Sequence, residues 1–240
     1  MEDQVYSKAQ SHIVDFAFTA EVAQVFPDMI RRSVPGYETV IPMTGLVAAR
    51  HLAQHGGQLA VDLGCSLGAT TQALLAQSDN PDIKVVGLDN SEPMIEGAIE
   101  ANKDPRASFH CMDILTAEDH FRSADVMLLN FVLQFFEPAT RFETLKLLRR
   151  NLKDNGLLIV SEKLKDADEE RQALFDATHL AWKRANGYSD LEVSQKRTAL
   201  ENVMIVDTHE THVERFVEAG FARVIPWYRC MNWASFLLYP

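Results

Sequence analysis

The chain has 240 residues, 47% of them hydrophobic, with 34 acidic against 23 basic side chains and a net charge of −11. That apolar fraction is enough for a sizeable core and excludes disorder, while the acidic balance works against binding phosphate backbones or anionic lipid through the long-range field. Three scattered cysteines, Cys65, Cys111 and Cys230, with no CxxC pair, suggest neither a disulfide framework nor a zinc site and read as reduced, cytoplasmic thiols.

In chain order, MEDQVYSKAQSHIVDFAFTA carries acids at positions 2 and 3 and no long apolar core, so it reads as neither a signal peptide nor a membrane span. Nothing later is apolar for long enough to cross a bilayer, and no repeat or Gly/Ser linker marks a second domain. The expectation is one α/β domain over residues 1–240 with an N-terminal helical cap over about residues 1–55. Short apolar runs then alternate with helical patterns. QLAVDLG from Gln58, IKVVGLD (83–89), ASFHCMD (107–113), DVMLLNF (125–131) and GLLIVSE (156–162) read as strands, with helices predicted over 69–76, 93–102 and 139–151. Such alternation implies a mostly parallel sheet covered on both faces. Residues 164–204 carry helical periodicity and read as an insertion after the fifth strand. Asp207 and Glu210 have capping-box spacing before a short helix closed by Gly220, and FARVIPWYRC and NWASFLLYP read as an antiparallel strand pair at the sheet edge. The fold class expected is the seven-stranded, Rossmann-like α/β architecture with a C-terminal antiparallel hairpin.

The strongest local motif is VDLGCSLG (61–68), in which Gly64 and Gly68 permit a tight strand-to-helix turn and close approach of a ligand. Ser66 stands where a dinucleotide fold would place its second glycine. The G-x-x-x-G spacing after an acid instead favours a ligand without pyrophosphate and with a positively charged amino-acid end, whose ammonium Asp62 can hold. A plain strand-turn-helix is the alternative. Asp89 ends the second strand in GLDNS, where a carboxylate can accept both hydroxyls of a ribose. Asp113 and the backbone of Ile114 suit an adenine edge, although Asp113 serves equally as a helix cap. Asn130 lies at the end of the fourth strand, facing either the ligand crevice or an ordinary turn. Arg31 and Arg32 read as solvent-exposed, with Tyr37 on the adjoining Pro-Gly turn near a ligand. His209 and His212 in THETH lack the HExxH pattern, so no metal is expected, and Trp182, Trp227 and Trp233 read as core or hairpin packing. The Lys196-Arg197 pair in GYSDLEVSQKR is either a solvated patch or a waiting partner for a carboxylate.

Together, VFPDMIRRSVPGY, VDLGCSLG, LDNSEPMIE, LNFVLQFFEP, SEK and KRANGYSDLEVSQKRTALENVM resemble the carboxy-S-adenosyl-L-methionine synthases, a family within the class I S-adenosylmethionine-dependent methyltransferase fold. The resemblance runs from about Phe18 to the C-terminus. VDLGCSLG with LDN indicates only the superfamily, whereas VFPDMIRRSVPGY and GYSDLEVSQKR are specific to the family. One departure is Met112, where a glycine is commoner in the superfamily.

The resemblance implies conversion of S-adenosyl-L-methionine and prephenate to carboxy-S-adenosyl-L-methionine and phenylpyruvate, with the product feeding a second enzyme that carboxymethylates 5-hydroxyuridine at the wobble position of tRNA. It places the cofactor contacts on Tyr37, Gly64, Cys65, Ser66, Asp89, Asn90, Asp113, Ile114 and Asn130, and the carboxylate anchor on Arg197, with no side chain assigned as general base. It further implies a cytoplasmic homodimer with the 164–204 insertion as the natural partner contact, and neither direct tRNA binding nor membrane attachment. A conventional methyltransferase of a small molecule or tRNA nucleoside shares every cofactor motif, and a catalytically silent nucleoside-binding protein would keep the glycine turn and Asp89.

Overall fold

The computed structural model describes residues 1–10 and 12–240. Two helices open the fold. α1 (Ala20–Ser33) is capped by the Thr19 side chain, which accepts from the Val22 N–H, and α2 (Tyr37–His55) is entered through a left-handed Gly36. A Cβ at Gly36 would fall 1.8 Å from Tyr228 Oη, so only glycine fits this entry.

Strands and helices then alternate: β1 (Leu59–Leu63), α3 (Ala69–Leu75), β2 (Lys84–Asp89), α4 (Glu92–Ala101), β3 (Ala107–Cys111), α5 (Glu118–Phe121), β4 (Ala124–Asn130), α6 (Pro138–Asn151) and β5 (Leu152–Lys165). All five strands pair in parallel. β4 is buried along nearly its whole length, which is why its sequence runs apolar without alternation: helices cover both faces. After α7 (Glu169–Ala185) and α8 (Asp190–Leu200) come a two-residue β6 (Asp207–Thr208), α9 (His209–Glu218), β7 (Arg223–Cys230) and β8 (Trp233–Tyr239). The sheet order is β3-β2-β1-β4-β5-β8-β7, with β6 pairing with β5 off this path.

The terminal strands form the expected antiparallel pair at one edge of the sheet, β7 outermost and β8 antiparallel to both β5 and β7. Two details differ from the sequence expectation. β5 extends well beyond 156–162 at both ends, its C-terminal end gaining β6 as a parallel partner. The cap of α9 is Thr208, whose side chain accepts from the Thr211 N–H at 3.1 Å, and not Asp207. Asp207 is drawn instead to Arg141, a fully buried guanidinium 2.6 Å away, and to Arg215 at 2.8 Å. A buried cation without a carboxylate costs several kcal/mol, which outweighs the roughly 1 kcal/mol of a cap that Thr208 supplies equally well.

Candidate active site

A cavity of about 750 Å³ opens at the carboxyl ends of β1 to β4, where the strand order reverses. Open α/β sheets bind ligands there, because neighbouring connections diverge to opposite faces and leave a crevice. Tyr37, Gly64, Cys65, Ser66, Asp89, Asn90, Asp113, Ile114 and Asn130 all line it, as does Asp62. Arg197 does not; it is exposed on α8.

The glycine turn is built by alternating left-handed residues, with φ of 71° at Gly64, 49° at Ser66 and 77° at Gly68. A Cβ at Gly64 would meet Val132 Cγ2 at 2.4 Å. Ser66 is therefore a serine in a conformation that glycine adopts most readily, and the Asp89 carboxylate holds it there by accepting the Ser66 N–H at 2.9 Å. The other Asp89 oxygen accepts the Ser91 N–H at 2.9 Å, so this carboxylate ties the glycine turn to the start of α4. Burial raises its pKa against the pull of these backbone bonds.

Asp62 is almost fully buried, and Thr71 donates both its N–H, at 3.1 Å, and its hydroxyl, at 2.8 Å, to the same oxygen, Oδ2. Oδ1 carries neither bond. Burial pushes the carboxyl up to about 6, Thr71 opposing this and the Asp89 charge adding to it. Burial, and then the Asp62 charge, also hold the Tyr37 phenol and the Cys65 thiol above their ordinary ranges, so both stay protonated near neutrality. Tyr37 is the first residue of α2, just past the Pro-Gly turn, its ring centroid 6.2 Å from that of Phe131.

Asp113 is exposed and serves as a cap, its Oδ1 accepting the Leu115 N–H at 2.7 Å at the start of a 3-10 turn, and it also lines the cavity. The Asn130 Oδ1 accepts the Ser161 hydroxyl at 2.7 Å, and Ser161 in turn meets Ser235 at 2.7 Å, a chain of hydroxyls across β4, β5 and β8 that fixes the amide. Glu162, fully buried, accepts from the N–H groups of Leu133 and Gln134 at 2.8 and 2.9 Å and so pins the loop after β4; burial pushes its carboxyl up to about 8 despite those bonds.

The other side of the cavity, formed by β5, α7 and α8, is basic, and of its three lysines the sequence marks only Lys196, in the Lys196-Arg197 pair. Lys163 at the end of β5, Lys183 on α7 and Lys196 on α8 line it together with His179 and Trp233. The Lys163 N–H donates to the Gln134 side chain at 3.1 Å, and its ammonium lies 5.5 Å from the centre of the Trp233 ring. The Lys196 ammonium donates to Ser33 Oγ at 2.8 Å and stands 3.7 Å from Asp3. Burial, followed by the charges of Lys196, Lys163 and Arg197, pushes Lys183 down to about 7; burial lowers Lys196 to about 8 against the pull of Asp3. Arg197, although exposed, is thus near enough for its charge to act on Lys183, and it acts on Lys163 as well. Burial holds His179 neutral, down to about 3.

The N-terminal segment closes this end. Asp3 is buried, its N–H donates to Asp28 at 2.8 Å and its carboxylate accepts the Tyr188 hydroxyl. Arg32 is buried too, paired with Asp28 at 3.0 Å and stacked over Tyr188 at 3.9 Å, whereas Arg31 is exposed and borders the cavity. Signals for these residues were present in the sequence. Ser189 and Glu192 form a capping box at the start of α8, in the S-x-x-E spacing of SDLE, and the three lysines fall within SEK, KRANGYS and SQKR.

The parallel sheet with its antiparallel C-terminal strands, and a cavity bordered by acids at the tips of β1 and β2, define a class I methyltransferase fold. Residues 61–158 match the family model described as methyltransferase domain. Among solved structures, an O-methyltransferase family protein from Burkholderia thailandensis superposes with a TM-score of 0.68 at 16% identity, covering 91% of this chain and 59% of that one. Human N-acetylserotonin methyltransferase in complex with SAM superposes with a TM-score of 0.62 at 15% identity, over 92% and 55%. These likenesses carry the fold. The chain belongs to the carboxy-S-adenosyl-L-methionine synthase family: it is 44% identical to the carboxy-S-adenosyl-L-methionine synthase of Stutzerimonas stutzeri over 99% of this chain and 98% of that one, and 43% identical to that of Pseudomonas putida over the same shares.

Proposed function

We propose that the cavity binds S-adenosyl-L-methionine, with its ribose on Asp89, its adenine along Asp113 and Ile114 and its ammonium toward Asp62, and that the chain converts it with prephenate into carboxy-S-adenosyl-L-methionine and phenylpyruvate. The observation that carries the reading is that nine residues scattered from Tyr37 to Asn130 meet in one cavity whose volume of about 750 Å³ leaves room for a second small molecule. Loss of carbon dioxide and hydroxide from prephenate leaves phenylpyruvate. The hydroxide removes a proton from the sulfonium methyl group as water, and the resulting carbanion attacks carbon dioxide to give the S–CH2–COO⁻ group. Such a carbanion survives only away from bulk water, a need that the apolar lining by Phe16, Phe18, Phe131, Val132 and Phe135 serves.

Arg197 anchors the new carboxylate in this reading, from the rim of its own cavity or from the neighbouring subunit of a homodimer. Leu174 on α7 and Leu191 on α8 are exposed at 61% and 40%, apolar side chains that such a partner would cover. The product serves a second, tRNA-modifying enzyme in the cytoplasm, and this acidic chain does not itself bind tRNA.

Incubation with both substrates, followed by mass spectrometry, tests the reaction: a carboxylated sulfonium that forms only with prephenate supports it, and S-adenosylhomocysteine with a methylated acceptor overturns it. Paired titrations test the anchor. Arg197→Ala leaves S-adenosylmethionine affinity intact and weakens the carboxylated form by about 1.5–3 kcal/mol, the range of a charge-assisted hydrogen bond. Equal losses for both ligands remove Arg197 from that role.

A further inference from the structure

We propose that Lys163, Lys183 and Lys196 form the seat of the anionic co-substrate, a dicarboxylate held at the basic end of the cavity while the nucleoside occupies the acidic end. The proposal rests on the two-substrate reading above and assigns the residues that reading leaves open.

Three observations carry it. The lysines come from three different elements, the end of β5, α7 and α8, yet line one cavity, so the fold has gathered cations in a chain whose net charge is −11. Lys183 and Lys196 are 8% and 5% exposed. Burying an ammonium without an anion is costly, and proteins avoid it unless something pairs with the charge.

The protein supplies too little pairing. Among the described residues the three ammonium groups have one carboxylate within 4.0 Å, that of Asp3 beside Lys196, and Lys163 and Lys183 have none. Asp176 acts on Lys163 only at longer range. A ligand with two carboxylates offers a partner to each of those two lysines.

Finally, the cavity is polarised. Asp62, Asp89 and Asp113 come from β1, β2 and the turn after β3, and the lysines from β5, α7 and α8; the charge felt by Asp62 is that of Asp89, and those felt by Lys183 are Lys196, Lys163 and Arg197. A sulfonium nucleoside with a protonated amine and a dicarboxylate therefore have different preferred ends, and each disfavours the other's seat. This arrangement places the decarboxylating partner beside the methyl group rather than over the adenosine.

The test uses the full chain and three variants, Lys163→Met, Lys183→Met and Lys183→Arg, with thermal melts to establish folding. Lys→Met keeps the stem's packing and removes the charge. The KM for prephenate rises about ten- to hundredfold in each Met variant, the loss expected of one charged contact, and recovers in large part in Lys183→Arg. S-adenosylmethionine affinity by calorimetry changes less than about threefold, since those contacts lie at the other end. An unchanged KM in both Met variants overturns the proposal, as does an equal loss for both ligands. Direct titration with prephenate in the presence of S-adenosylhomocysteine separates the two claims. If the wild-type protein binds prephenate and the Met variants do not, the anion seat stands even where no product forms and the reaction itself fails. If the wild-type protein binds none, the seat is wrong. Should one Met variant not fold, the other two variants decide.

Discussion

At the acidic end of the cavity the carboxylates stand at or just beyond the tips of neighbouring parallel strands, and backbone N–H groups or a neighbouring threonine hold them; Asp89 accepts from Ser66 and Ser91, Asp113 from Leu115 and Asp62 from Thr71. At the basic end three ammonium groups arrive on a strand end and two helices, and the main side-chain restraint on any of them is Ser33 and Asp3 around Lys196. The acidic end is made rigid by local geometry and is preorganised. The basic end is held by tertiary packing and, at Lys196 alone, by Ser33 and Asp3, so in the proposed reading a ligand supplies the remaining pairing. Damage at the first should therefore propagate into the fold, and damage at the second should be confined to one ligand.

The largest effect is expected from Gly64→Ala. A non-glycine residue at φ 71° costs about 1–2 kcal/mol, and a Cβ 2.4 Å from Val132 Cγ2 adds an overpacking cost of about 1–3 kcal/mol. For a chain of this size that sum lowers Tm by roughly 5–20 °C, read by calorimetry. Adding Val132→Ala relieves the collision and not the backbone strain, so the double variant recovers only part of the loss. Full recovery would show that φ at Gly64 is unstrained for alanine.

Next comes Asp89→Ala, which removes the tether of Ser66 and Ser91 along with the proposed ribose contact. S-adenosylmethionine and its carboxylated product both bind about ten- to hundredfold more weakly, and by the same factor. Titration of both ligands checks this; a selective loss of one of them would break the division into a nucleoside end and an anion end.

How much of each end could be read from the sequence follows the same division. Gly64, Ser66, Asp89 and Asn130 sit at strand ends, and a strand end is visible as an apolar run stopping at a polar residue, so local pattern sufficed to place them. Lys163 stands just past the apolar GLLIVSE run and Lys196 beside Arg197 in a pair that could await a carboxylate, but Lys183 carries no such mark, because a lysine on a helical pattern reads as a solvated face until the tertiary fold turns it inward. Arg32 misled for the same reason: beside an exposed Arg31 it looked like surface, but Asp28 and Tyr188 enclose it. The shift of the α9 cap from Asp207 to Thr208 depends on Arg141, 66 residues earlier, and no local spacing could show that.

A third effect sets the two ends against each other in pH. Asp62, pushed up to about 6 by burial, must be ionised to hold an ammonium, so S-adenosylmethionine affinity is full above that value and falls as pH drops through it. Lys183, pushed down to about 7, must be protonated to hold a carboxylate, so affinity for prephenate is full below that value and falls as pH rises through it, by at most about tenfold per unit. The charges facing Lys183 are those of Lys163, Lys196 and Arg197, with Asp176 acting on Lys163 and His179 neutral in this range. Both constants measured from pH 5 to 9 should slope in opposite directions, and Lys183→Arg should flatten only the prephenate limb. Parallel slopes would mean that one group governs both ligands.

The smallest effect separates backbone from side chain at the acidic end. Ser66 holds φ 49° and its hydroxyl donates to the Met94 sulfur at 3.3 Å. Ser66→Gly relieves the left-handed strain, worth about 1–2 kcal/mol, but frees the unfolded chain by about 0.4–1 kcal/mol and loses a weak hydrogen bond to sulfur. These contributions nearly cancel, so Tm should move by no more than a few degrees and S-adenosylmethionine affinity by less than about threefold, because the Ser66 N–H that Asp89 accepts remains. Ser66→Val keeps the N–H but places a β-branched residue in the left-handed region, so it should be clearly worse on both measures. A tenfold loss of affinity in Ser66→Gly at unchanged Tm would mean that the hydroxyl itself touches the ligand, and the nucleoside end would then be built from side chains as much as from backbone.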